Sequence, residues 1–156
     1  MTPMHFLPRR YEAAILEAIA KCGLQREPAR ATDTVLSSSG GTVTSELKPR
    51  QQVCYLWAER IGAGTGEQVR EQMRGLPIHQ LIAVYLQLPL DTGPLDEIIA
   101  LLREEGFFYA GYLPEYGGRD WITLQRVTHL PIDRASVGLA DEHCYGLLDF
   151  IISDQR

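Results

Sequence analysis

The stretch from residue 81 to residue 127 constrains the fold most, because its hydrophobic period switches from buried strand to helix and back. Residues 81–86 (Leu-Ile-Ala-Val-Tyr-Leu) form an uninterrupted apolar run, the pattern of a strand covered on both faces. Asp91-Thr92-Gly93-Pro94 then supplies a turn. From Leu95 to residue 105, Leu95, Ile98, Ile99 and Leu102 make one apolar stripe. Asp96 and Glu97 fall in the first turn, where the helix dipole favours negative charge, and Gly106 suits the end. Burying each of those four side chains contributes roughly 1.5 to 3 kcal/mol. A strand over 107–112, a loop over 114–120 and a strand over 121–127 read as a hairpin.

Everything earlier reads as more sheet with a leading helix. Pro8 suits the first helical position, Tyr11, Ile15, Ala18 and Cys22 share one face over 9–22, and Gly23 closes the helix. Residues 24–32 read as a connection. Strands are expected over 34–37, 42–47 and 52–60, joined as an antiparallel meander through Ser38-Ser39-Gly40-Gly41 and Lys48-Pro49-Arg50. Residues 61–66 (Ile-Gly-Ala-Gly-Thr-Gly) open a helix over 67–74, with Val69 and Met73 facing the sheet. Strand 52–60, that helix and strand 81–86 form a βαβ unit, whose strands should be parallel. After Pro131 a helix is expected over 141–153, with Cys144, Leu147, Leu148 and Ile151 on one side. The expectation is an α/β (α+β) mixed-sheet fold, one domain over 1–156, with a core of about 8–127 and a helical extension over 128–156.

Composition narrows the function classes. The 156 residues carry 15 Lys plus Arg against 20 Asp plus Glu, a net charge of -5, which argues against a general nucleic-acid binder. Arg9-Arg10 and Lys48-Pro49-Arg50 are the short basic spots. Cys22, Cys54 and Cys144 lack CxxC spacing, so reduced thiols in a cytoplasmic setting are expected rather than a disulfide framework or zinc knuckle. No run approaches the ~18 to 20 apolar residues of a membrane span, and no basic-then-apolar leader opens the chain. Asp141-Glu142-His143-Cys144 holds metal-ligand residue types, but neighbours on a helix point in different directions. His5, His79 and His129 form no HxxxH or HxH pattern, so no metal site is expected. Gly-x-Ser-x-Gly, a P-loop lysine and His-Glu-x-x-His do not occur, leaving hydrolase, NTPase and metalloprotease chemistry without an anchor.

The order of elements, with Glu105-Gly106-Phe107-Phe108 after the helix, then Gly111, Pro114, Asp120 and Leu124-Gln125, resembles the GNAT superfamily of N-acetyltransferase-like domains. It is more closely similar to GNAT-like domains of bacterial proteins that accompany an anti-sigma-factor-type ATPase module. The resemblance covers about 8–127, and its distinctive part is 81–125. It implies an acyl-CoA N-acyltransferase fold with an added C-terminal helix. It also implies a loop of the form Gln/Arg-x-x-Gly-x-Gly/Ala that takes the pyrophosphate of acetyl-CoA or another acyl-CoA. The corresponding residues are Arg60-Ile61-Gly62-Ala63-Gly64-Thr65-Gly66, where the position three beyond Arg60 is Ala63 rather than glycine. Gly62, Ala63, Gly64, Thr65 and Gly66 are therefore the candidate cofactor-binding residues, since successive backbone N–H groups at a helix start hold phosphate. Three glycines cost roughly 0.5 to 1 kcal/mol each in chain freedom, and hydrogen bonds to a charged group return about 1.5 to 3 kcal/mol each. The competing reading is a plain strand-to-helix turn.

In many members of that superfamily a tyrosine four residues before the glycine of the Gly-Phe pair protonates the departing thiolate, and here Leu102 holds that position. Tyr109, Tyr112 and Tyr116 are the neighbouring tyrosines, and Glu59 stands where a base for an amine could sit. No catalytic residue is assigned on this basis. Two functions follow: acyl-CoA binding between strands 52–60 and 81–88 with transfer to an amine, or a non-catalytic regulatory or dimerising module. The second makes the helix from Asp141 the contact surface, with a second copy or an adjoining ATPase module as partner. Both need the strands at Cys54 and Val84 to lie side by side and parallel.

Overall fold

The structure, a computed structural model, describes residues 4–29, 41–128 and 142–155. In chain order these hold β1 (Met4–Phe6), a 3-10 turn (Arg9–Tyr11), α1 (Glu12–Lys21), β2 (Glu27–Ala29), β3 (Thr42–Lys48), β4 (Val53–Arg60) and α2 (Thr65–Arg74). A 3-10 turn (Ile78–Gln80), β5 (Ala83–Pro89), α3 (Asp96–Glu104), β6 (Phe108–Tyr116), β7 (Arg119–Val127) and α4 (Glu142–Gln155) complete the order. The fold is α+β, built on a five-stranded mixed sheet of order β3-β4-β5-β7-β6. As the βαβ pattern requires, β4 and β5 are parallel, with Cys54 opposite Val84. The remaining neighbours of this sheet are antiparallel.

Alternation along the strands sorts the sheet into two unlike faces. Cys54, Leu56 and Ala58 of β4, Val84, Leu86 and Leu88 of β5, and Ile122 and Leu124 of β7 are at most 2% exposed. They join Ile15 and Ile19 of α1, Val69 and Met73 of α2, and Ile98, Ile99 and Leu102 of α3 in one core. The opposite parity is aromatic and polar. Tyr55 stacks on Tyr85 with ring centres 5.5 Å apart, and the Thr123 hydroxyl donates to Gln87 Oε1 at 2.5 Å.

Several boundaries differ from the sequence reading. The strand expected over 81–86 runs from Ala83 to Pro89, because Gln87, Leu88 and Pro89 pair with Thr123, Ile122 and Trp121 of β7. The loop expected over 114–120 shrinks to a turn at Gly117-Gly118, both at positive φ (61° and 78°), as a tight hairpin turn demands. The helix read over 9–22 opens as a 3-10 turn before α1 begins. Within the segment read as a connection, β2 pairs in parallel with β1, and Phe6 N–H bonds the Leu90 carbonyl at 2.8 Å. Three-residue strands carry no periodicity to detect. The strand expected over 34–37, and His129 and Asp141, lie outside the described residues.

The extension is tied to the core. Phe150 of α4 meets the rings of Tyr11 and Tyr109 edge-on at 6.2 and 5.5 Å. Asp154, 4% exposed, accepts from Arg10 Nε (2.7 Å), Arg103 Nη1 (2.5 Å), Tyr11 OH (2.8 Å) and the Tyr109 N–H (2.6 Å). Among the described residues no helix is long and apolar enough to cross a membrane.

Candidate functional site

Pairing of β4 with β5 runs from Val53↔Ala83 to Trp57↔Gln87 and ends there. Beyond it β4 stays with β3 and β5 stays with β7, so the two strands part at their carboxyl ends. The cause is local: Arg60 faces Thr42 and Ala58 faces Val43, so Glu59 is one residue too many on β4. Such a bulge bends its strand and strengthens the twist, and bulges recur beside functional sites. Ligands of open α/β sheets bind outside the carboxyl ends of strands, which is where this slot opens.

The candidate loop lies directly beyond the bulge. Thr65 N–H bonds the Gly62 carbonyl at 3.1 Å, and the Gly62 N–H donates to Thr65 Oγ1 at 2.8 Å, closing the turn on itself. Gly62, Thr65 and Gly66 are buried, Gly64 is half-buried and Ala63 is exposed. A Cβ on Gly66 would overlap Leu101 Cδ2, so this glycine lets α2 pass close to α3. Of the five residues, then, Gly62, Thr65 and Gly66 shape the turn. Ala63 and Gly64 keep backbone N–H groups with no acceptor among the described residues. Gly64 is the N-cap of α2 with φ -89°, and no side chain among the described residues caps the helix.

At the mouth of the slot Trp57 stacks on Tyr116 (5.0 Å) and meets Trp121 edge-on (5.2 Å). Arg119 stands over Trp121 at 5.0 Å, pairs with Asp91, and donates to the Glu59 carbonyl. The hydrogen bonds that Arg119 donates to Asp91 hold its guanidinium above its usual range, outweighing the burial that opposes the charge.

A second polar cluster centres on Asp120, 5% exposed. Its Oδ2 accepts from His5 Nε2 (2.5 Å), Arg26 Nε (2.6 Å) and Tyr112 OH (2.5 Å), and its Oδ1 from the Glu115 N–H (2.9 Å). Burial alone would raise this carboxyl, but hydrogen bonds from Arg26, Tyr112, Glu115 and His5 outweigh it and hold it well below the usual carboxylate range. His5 Nδ1 is buried without a partner among the described residues.

These contacts decide the tyrosine candidates. Leu102 is fully buried in the core. Tyr109 is 1% exposed and burial pushes its hydroxyl up to about 12, while burial and Asp120 push Tyr112 up and commit its proton. Tyr116 is 55% exposed, on the ring of Trp57. Glu59 is exposed at the bulge. Among the described residues no cluster of His, Cys, Asp or Glu could hold a metal ion. The sequence places Arg119 and Asp120 in the loop over 114–120 and Arg26 in a connection, and marks Asp120 only as part of the resemblance, so it points to no role for any of the three. The partners from Arg26, His5 and Asp91 are 28 or more residues away in the chain.

Among the described residues, then, a bulged strand parts from a parallel neighbour beside a glycine-containing helix start, within an α+β fold built on a five-stranded mixed sheet. One chain of the NatC complex, whose crystal structure is bound to Gag peptide and CoA, is similar with a TM-score of 0.40 and 10% identity. That likeness covers 56% of this chain and 58% of the other. No protein-family model matches the chain, and no curated protein matches it.

Proposed function

We propose that this chain is a GNAT-like domain that binds an acyl-CoA thioester between the carboxyl ends of β4 and β5. The observation that carries the reading is the parting of the two strands at the Glu59 bulge, next to the N–H groups of Ala63 and Gly64, which have no acceptor among the described residues. The pyrophosphate would rest on those N–H groups at the positive end of α2. Transfer of the acyl group to an amine is the activity this placement serves.

Gly64→Asp tests it with the fold held constant. At φ -89° and ψ 5° position 64 is open to an L residue without a positive-φ penalty, so the variant should melt close to the parent, within about 0.5 kcal/mol. The same carboxylate would stand against the phosphates. Isothermal titration with acetyl-CoA should give micromolar binding in the parent and none in Gly64→Asp. No heat at millimolar ligand in the parent would overturn the proposal.

The second reading is a non-catalytic regulatory module of the same fold, favoured by Leu102 at the general-acid position, by the burial of Tyr109 in the core and by the commitment of the Tyr112 hydroxyl to Asp120. A domain that binds acetyl-CoA and transfers nothing to amines would be this case. An adjoining ATPase module or a second copy is then the partner to look for.

A further inference from the structure

Arg119 opens β7, and its planar fork spans the gap where β4 and β5 separate. Nε and Nη2 donate to the two carboxylate oxygens of Asp91, just past β5, at 2.8 and 2.6 Å. Nη1 donates to the carbonyl of Glu59, the bulge residue of β4, at 2.7 Å. Trp121 lies under the guanidinium, and its own Nε1–H is fixed to the Tyr116 carbonyl at 2.9 Å. An arginine fork held at both ends and against a ring is a rigid bridge, unlike a lysine in the same place. The Arg119 and Asp91 side chains are 27% and 42% exposed, however, and ion pairs so open to water are readily exchanged.

We infer that Arg119 is a latch across the mouth of the slot. It closes the strand ends in the unliganded chain, and a ligand entering between β4 and β5 displaces it from the Glu59 carbonyl. The closing of the strands stands on the bonds above; the identity of the ligand rests on the proposed function. The two parts fail separately.

The experiment compares the parent with Arg119→Ala and Asp91→Asn, after thermal melts establish that each variant folds. Amide hydrogen exchange is followed in the segment 58–62, with 122–124 in the core of β7 as internal reference. Coenzyme A is titrated calorimetrically into all three. Exchange in 58–62 should rise at least about tenfold in Arg119→Ala and by less in Asp91→Asn, with 122–124 unchanged, as for a local opening. Coenzyme A should bind Arg119→Ala at least about fivefold more tightly, because the closed state no longer competes. Exchange that stays at the parent's rate in both variants overturns the latch. Weaker coenzyme A binding in Arg119→Ala also overturns it, making Arg119 a ligand contact. Faster exchange with no coenzyme A binding in any of the three supports the latch and removes the ligand reading.

Discussion

A carboxylate taken out of water must be met by donors, and Asp120 is met by the Arg26 guanidinium, the His5 imidazole, and the Tyr112 phenol and Glu115 N–H of β6, drawn from three separate parts of the chain. Asparagine at this position keeps the shape but leaves the Arg26 guanidinium, whose side chain is 9% exposed, with only the solvent-exposed Glu115 carboxylate as counter-charge. Removing one partner of a buried pair costs about 3–5 kcal/mol, so Asp120→Asn should lose about that much in urea melts at neutral pH. The pH dependence has a definite sign. The folded carboxyl titrates below its unfolded value of about 3.9, so its contribution is complete above that pH and is lost as pH falls below it. Parent stability should therefore drop below a pH of about 4, and Asp120→Asn should remove that part of the slope. An acid limb of equal steepness in both proteins would mean that other carboxylates set it.

At the level of elements, packing decides what the glycines are for. Gly66 lies where α2 passes α3, and any Cβ there enters the space of Leu101 Cδ2. Gly66→Ala should cost about 1–3 kcal/mol by overpacking, despite alanine's better helix propensity. Leu101→Ala in the same chain should return much of that loss, because the clash is with a half-buried side-chain tip rather than with backbone. A double mutant as unstable as the sum of the singles would place the strain elsewhere. The same elements show how far the sequence could be read. α3 was legible because four apolar side chains repeat at helical spacing, and Ile98, Ile99 and Leu102 are indeed buried. The parallel β4–β5 pair followed from a helix between two apolar runs. The Glu59 bulge left no mark, since an extra residue in a strand changes pairing and not composition. β1 and β2 were invisible for want of length, and with them the environment of His5 and Arg26. For the candidate loop the glycines marked the place, but only packing separates Gly62, Thr65 and Gly66 from the available N–H groups of Ala63 and Gly64.

Across the whole molecule, two buried carboxylates hold opposite ends of the β6–β7 ribbon: Asp120 near the hairpin, and Asp154 at Tyr109, the second residue of β6. Asp154 also gathers the 3-10 turn through Tyr11 and α3 through Arg103, so the end of α4 closes the structure at that side. Tyr11 and Tyr109 sit together there, ring centres 5.1 Å apart, and an ionised phenol would face the Asp154 carboxylate in a site that excludes water. Burial is the larger cause in both, and it pushes each hydroxyl up to about 12; at Tyr11 the Asp154 bond adds to it while Arg103 opposes it. Unfolded tyrosines ionise near pH 10, so the contribution of both groups is intact below about 10 and is lost as pH rises toward about 12. Chemical denaturation followed across that window should show stability falling with pH. Tyr11→Phe, which keeps the ring and removes the proton, should flatten part of the fall, while costing about 1 kcal/mol at neutral pH for the lost hydrogen bond. If the fall is as steep in Tyr11→Phe as in the parent, the hydroxyls beneath α4 do not govern alkaline unfolding, and α4 is held by its apolar contacts at Phe150 and Ile151 instead.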